Sequence, residues 1–194
     1  MGLQEAPYFS DGNIEVAHKL FREALGEKEF PEVSFIYVAS ERNHLIAQAL
    51  QQQWFNAFGV LIRLDALECK VYYDRLYAED FQLAASSWVA DFNDPLNFLE
   101  PFKYKSNVSN NTTWENNAYA QLLDKVIETT DVSQRLELLK QSEKILMDEM
   151  PLIPIFHYNM LCIAKDNLKE VLLSPTGNID FRWAILEPFQ EISR

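Results

Sequence analysis

The sequence predicts an α/β fold, a mixed but mainly parallel sheet flanked by helices, on three observations. Short apolar runs rich in β-branched and aromatic residues alternate with stretches whose apolar side chains recur every three or four positions. After an opening helix the segment order is β-α-β-α-β, which right-handed crossovers assemble into a parallel sheet. No internal repeat, low-complexity tract or long linker divides the 194 residues, a length sufficient for one lobe with its own core.

Ser10 and Asp11 offer N-cap side chains to the first helix, which carries Ile14, Ala17, Leu20, Phe21, Ala24 and Leu25 on one face and stops at Gly26. Val33 to Ala39 is a short apolar run and reads as a buried strand. Ser40 caps a second helix with Leu45, Ile46, Ala49, Leu50, Gln53 and Trp54 in 3-4 spacing, and Gly59 lies just past its end. Val60, Ile62 and Leu64 alternate with Leu61, Arg63 and Asp65, the pattern of a half-buried strand. A shorter helix over Lys70 to Tyr77 leads into a third strand, Phe81 to Ser87.

Pro95 to Phe102 is an apolar segment with room for one helical turn, and Ser106 to Thr113 is a polar, turn-rich surface loop. Two helices follow. Asn117 to Thr129 carries Leu122, Leu123, Val126 and Ile127. Asp131-Val132-Ser133-Gln134 has the form of a capping box and opens a helix with Leu136, Leu139, Glu143, Leu146 and Met150. Leu122, Val126, Leu139 and Leu146 are expected to be buried in the same core as the sheet. Pro151 and Pro154 end that helix and admit an extended run, Ile153 to Ala164, followed by short strands at Val171 to Leu173 and Ile179 to Ile185.

Acidic residues outnumber basic ones by 29 to 17, for a formal charge of −12, so the surface repels phosphate backbones and nucleic acid is not expected as a partner. Five glycines leave little material for phosphate-cradling loops. Cys69 and Cys162 form no CxxC or metal-ligand spacing; they read as two small buried hydrophobes, with a disulfide as the alternative. No metal or other cofactor is expected. No apolar run approaches the roughly 18 residues of a membrane span, and Met1 to Glu5 has neither the basic nor the apolar region of a signal peptide. A mature cytosolic protein and an excised piece of an exported one both fit that start.

The most informative stretch is Trp88-Val89-Ala90-Asp91-Phe92-Asn93-Asp94-Pro95, at the exit of the third strand. A carboxylate three residues after an aromatic, before a proline-closed turn, is placed to face a cleft, because rigid sheets position the loops that leave their strand ends. Asp91 has a structural alternative, a turn carboxylate satisfying backbone N–H groups, and Trp88 has one too, as a core residue. Asp91, Asp94 and Glu100 also admit a carboxylate-dependent hydrolase, although no nucleophile elbow or HExxH accompanies them. A non-transport interaction domain using the loop Ser106 to Thr113 is a third class.

Two motifs carry a family resemblance. The run from Asp131 to Tyr158 sets Arg135, Leu139, Ile145, Asp148, Glu149, Pro151, Pro154, Phe156 and Tyr158 in the pattern of a late helix and strand. Trp88 to Pro95 is similar to a W-x-A-D-Y-x-x-P segment. Together, over Tyr8 to Glu187, they resemble the family 5 solute-binding proteins, the peptide-, dipeptide- and nickel-binding receptors of bacterial ABC importers. The resemblance implies a type II periplasmic-binding-protein-like lobe. It makes residues 1–158 a peptide-binding second lobe and 159–194 a tail that crosses back to a first lobe outside this sequence, so the chain is expected to be a fragment of a longer receptor. It implies no enzyme, but capture of extended peptides through their backbone and free α-amino group. Asp91 would pair with the ammonium, Ser87, Trp88, Val89 and Ala90 would offer main chain and a pocket wall, and Tyr158 would add a phenolic hydrogen bond. His157 stands where an aromatic is more usual, and Ala85 where some members carry an arginine for the peptide carboxylate. That partner would then come from elsewhere, with Arg75 a candidate. Tyr158 also has a core reading. Within the family a nickel chelate or another small solute is the alternative ligand. The implied partners are a peptide and a membrane ABC permease, and the implied location of the full-length parent is the periplasm or cell envelope. Apolar Val171 to Leu173 and Phe181 to Leu186 suggest self-association of the isolated chain.

Overall fold

A computed structural model describes residues 12–159, 161–174 and 176–188. Three parallel strands form its sheet: β1 (Ser34–Val38), β2 (Arg63–Leu67) and β3 (Leu83–Ala84), in the order β2-β1-β3. Ser34 faces Arg63 and Val38 faces Leu67 along one edge of β1, and Phe35 and Ile36 face Leu83 and Ala84 along the other. The connections are helices α2 (Glu41–Phe58) and α3 (Cys69–Tyr77), as a parallel order demands.

Alternation along β1 divides the core in two. Phe35 and Tyr37 point to one face, where they meet Ala47, Leu50 and Trp54 of α2 together with Ile62. Ile36, wholly buried, points to the other and packs on Tyr72 and Leu76 of α3. Helix α1 (Ile14–Leu25) lies on α2, with the Phe21 ring stacked on Phe58 at 4.7 Å between centroids. Caps set the ends of α2: Ser40 Oγ accepts from the Asn43 N–H at 3.2 Å, and Gly59 adopts φ +70°, which costs a glycine little.

The second half of the chain builds its own core. Helices α4 (Leu96–Leu99), α5 (Asn117–Glu128) and α6 (Val132–Glu149) enclose Leu99, Tyr119, Leu123, Val126, Leu139, Leu146 and Met147. A 3-10 turn, Glu100–Phe102, continues α4, and the fully buried Tyr119 donates its hydroxyl to the Leu99 carbonyl at that junction, 2.6 Å. Burial pushes the Tyr119 hydroxyl well above the usual phenol range, so it stays a donor. Glu149 closes the other end of the cluster, accepting from Trp114 Nε1 and Asn116 Nδ2, both at 2.6 Å.

Several sequence expectations need correction. Ser10 and Asp11 lie outside the described residues; the cap of α1 is Asn13, whose side chain accepts from the Val16 N–H. β2 begins at Arg63, three residues later than the alternation starting at Val60 suggests, although Ile62 is buried and Leu61 exposed as that alternation requires. β3 is regular only at Leu83–Ala84, so residues up to Ser87 leave the sheet early. The helical leucines do not share the sheet's core but form the separate cluster with α4, and Leu122 is only half-buried. Both cysteines are free and exposed, which removes the buried reading and the disulfide alike. His18 of α1 is half-buried and hydrogen-bonded to the Ala57 carbonyl.

The extended run from Ile153 forms no strand among its described residues. The tail pairs with itself: β4 (Leu168–Lys169) with β7 (Ile185–Leu186), and β5 (Leu172–Leu173) with β6 (Ile179–Asp180), both antiparallel and separate from the main sheet. No helix among the described residues is long and apolar enough to cross a membrane.

Candidate functional site

The chain leaves β3 under restraint. The Ala85 N–H donates to the Ile36 carbonyl at 2.9 Å, and the Ala85 carbonyl accepts the Tyr72 hydroxyl at 2.5 Å. Burial, then the neighbouring Tyr73 and Tyr77, push the Tyr72 hydroxyl up to about 12, so it remains a donor at physiological pH. From Ser86 to Val89 the main chain then makes no hydrogen bond to any described residue. Ser87 and Val89 are exposed and Ala90 is half-buried.

The loop is pinned again at Asn97 of α4, a residue 7% exposed. Its Oδ1 accepts from Trp88 Nε1 at 2.9 Å and from the Asp91 N–H at 3.1 Å. One acceptor thus orients both the aromatic ring and the acidic residue. Trp88, 45% exposed, is a wall and not a core residue. With Asp91, Asn97, Glu100, Asn107 and Ser109 it lines a cleft of about 240 Å³.

Two aspartates in this loop divide the roles that sequence left open. Asp94 takes the structural one. Its Oδ1 accepts from the Leu96 N–H at 2.8 Å at the start of α4, and both its oxygens meet Arg135 of α6, at 3.0 and 2.8 Å. Burial works to raise its pKa, but the Arg135 hydrogen bond, the Leu96 N–H and the Arg135 charge together hold it below the usual carboxylate range. Asp94 is therefore spoken for as an acid or base. The Asp91 carboxylate is exposed and accepts no hydrogen bond from a described residue.

Asp94 and Arg135 carry a pH prediction. A carboxylate whose folded pKa is depressed stabilises above its unfolded pKa, and that contribution is lost as pH falls through the folded value. Asp94→Asn keeps an acceptor for Leu96 but not the ion pair. It is expected to lower unfolding free energy by about 1–2 kcal/mol at pH 7, a half-screened bidentate pair. The gap between wild type and variant should shrink below about pH 4. Urea titrations at stepped pH check this, and a gap unchanged down to pH 3 would show that the pair contributes no stability.

The cleft gathers Trp88 and Asp91 of the expected residues. Tyr158 and His157 are exposed and do not line it; the Tyr158 ring instead lies under the Arg42 guanidinium, 4.9 Å from its centroid. Arg75 is engaged by Asp80 at 2.9 Å, with Asp65 at 4.0 Å, and so is not free for a ligand carboxylate. Sequence reasoning missed Asn97, Asn107 and Ser109, and named Glu100 only as a possible acid or base. Asn97 had a visible signal, the one amide inside the apolar Pro95 to Phe102 segment. The loop Ser106 to Thr113 is turn-rich and at the surface, as read, but it is pinned from within. Asn110, 3% exposed, donates to the Tyr104 and Trp114 carbonyls and accepts from the Thr112 N–H and hydroxyl.

Residues 2–110 match the profile of the bacterial extracellular solute-binding proteins, family 5 middle region. The chain belongs to this family. It is 38% identical over 181 residues to the oligopeptide-binding protein OppA of Bacillus subtilis, covering 90% of this chain and 33% of that protein. Among solved structures it superposes on pheromone receptor PrgZ with a TM-score of 0.78 at 26% identity, covering 91% of this chain and 34% of that one. The Haemophilus influenzae OppA complex with RPPGFSPFR gives a TM-score of 0.72 at 26% identity, over 80% of this chain and 32% of that one. This family 5 chain thus spans about a third of the length of the curated relatives it matches, and its sheet and helices are those of a type II periplasmic-binding-protein lobe.

Proposed function

We propose that the protein is a peptide receptor of an ABC importer, in which Asp91 accepts the free α-ammonium of an extended peptide. One observation carries the reading: Asp91 has its main chain anchored by Asn97 while its carboxylate, alone of the loop's two aspartates, is left unbound among the described residues and faces the cleft. A carboxylate so placed forms a charge-assisted hydrogen bond with an ammonium, stronger as water leaves. The unpaired main chain from Ser87 to Val89 supports β-augmentation by the ligand, which reads backbone and tolerates varied side chains. Trp88 walls the first pocket, and Ala90 adds main chain beside it. Tyr158 and His157 enter the proposal only as exposed side chains open to a ligand that extends beyond the cleft.

Residues 1–158 would form the ligand-binding second lobe, and 159–194 a tail toward a first lobe. The permease partner, the envelope location and the absence of catalysis follow from the same reading. It draws support from relatives named for oligopeptide and dipeptide binding. Native mass spectrometry of the full-length protein tests it. Co-purified peptides of mixed sequence are expected, and release of a metal chelate or a non-peptide solute would overturn it.

A further inference from the structure

We propose that Asn97 is a ligand-reading residue as well as a support for the loop, donating from Nδ2 to the first main-chain carbonyl of the bound peptide; this rests on the peptide-binding reading above. The orientation of its amide is fixed by its neighbours. Trp88 Nε1 and the Asp91 N–H are both donors, so the atom between them must be the oxygen. The NH₂ group then points away from both. Among the described residues it meets no acceptor, although Asn97 is 93% buried by its 7% exposure. The one enclosed side-chain polar atom without a partner among them is Asn167 Oδ1, so Asn97 Nδ2 is not sealed in protein but reaches the cleft that Asn97 lines. A buried amide whose acceptor is doubly used and whose donors open onto a cavity is poised for an acceptor on the ligand.

The geometry also says which acceptor. Asn97 is bonded to the main chain of the residue whose carboxylate is to hold the ammonium. In a peptide the first carbonyl oxygen lies next to that ammonium, so a ligand held at Asp91 brings its first carbonyl toward Asn97. Two carboxylates, Asp91 and Glu100, and no cation line the cleft, so a donor to the carbonyl comes from a neutral side chain; of Asn97, Asn107 and Ser109, Asn97 is the one bonded to the Asp91 main chain.

The test is a cycle in the full-length protein between Asn97→Asp and a peptide whose first amide is replaced by an alkene isostere. Asp is isosteric and keeps the oxygen for Trp88 and Asp91 but has no N–H. Its added charge acts alike on the ammonium that both ligands carry, and its repulsion of the amide carbonyl adds to the lost N–H in the same direction. Wild type is expected to favour the unmodified peptide over the isostere by about tenfold more than Asn97→Asp does. The Trp88 indole N–H resonance, assigned with Trp88→Phe, should hold its position in Asn97→Asp and move in Asn97→Leu, which reports the clamp separately from the ligand contact. Equal discrimination by wild type and Asn97→Asp overturns the inference. A wild-type protein that binds no free peptide overturns the peptide reading and this inference with it. If Asp91→Asn leaves peptide affinity unchanged while Asn97→Asp abolishes discrimination, the ammonium reading fails and the Asn97 contact stands.

Discussion

Replacing Asp91 with Asn in the full-length protein is expected to weaken binding of free peptides by about 2–5 kcal/mol, the usual result of truncating one member of a desolvated charge pair. N-acetylated peptides present no ammonium, so the same substitution should barely change their affinity. The size of the effect depends on water. In this chain Asp91 is exposed, and an exposed ion pair contributes about 1 kcal/mol at most. A loss of several kcal/mol therefore requires a second surface that closes over the cleft and dries it. Calorimetry on the longer receptor proposed above and on residues 1–194 alone, each with blocked and unblocked peptides, separates the contributions. The 194-residue chain should bind at about millimolar strength or more weakly and respond little to Asp91→Asn. If the substitution weakens blocked and unblocked peptides equally, Asp91 shapes the loop and does not read the amino terminus.

Asp91 and Asp94 show how far sequence could go at the site. Both sit before a proline turn, and either could have been the turn carboxylate. What separates them is Arg135, distant by 41 positions in sequence, which reaches Asp94 from α6 and leaves Asp91 free. No local pattern encodes that choice. Local signals succeeded where the physics is local: Ser40, Gly59 and Asp131 cap the helices as read, the apolar run places β1, and the 3-4 periodicity places α2, α5 and α6, within a residue or so. They failed where an apolar residue's partner is set by tertiary packing. Leu20, Leu45 and Ile127 match helix faces yet stand 59%, 61% and 60% exposed. The apolar run Ile153 to Ala164 read as extended, but its described residues pair with no strand. Apolarity records that a surface is to be covered, not by what.

Leu139→Ala is expected to cost about 2–5 kcal/mol of unfolding free energy, and Leu136→Ala, three positions away on the same helix, well under 1 kcal/mol. Both fit the helical repeat, so periodicity does not rank them. Burial does: Leu139 is 1% exposed within the cluster of Leu99, Tyr119 and Leu123, while Leu136 is 41% exposed. Removing three carbons from Leu139 leaves a cavity between α4, α5 and α6 that these packed helices fill only in part. The damage should reach the site. Leu99 belongs to the same cluster and follows Asn97 by two residues on α4, so a loosened cluster frees the amide that holds Trp88 and Asp91. Urea denaturation of both variants, with the Trp88 indole N–H resonance followed in the native state, gives two readings. Equal losses at Leu136 and Leu139 would mean that α6 packs through its whole heptad face and that the separate cluster is wrong. A large loss at Leu139 with an unmoved Trp88 signal would mean instead that Asn97 is held by its own short turn and not by the core beneath it.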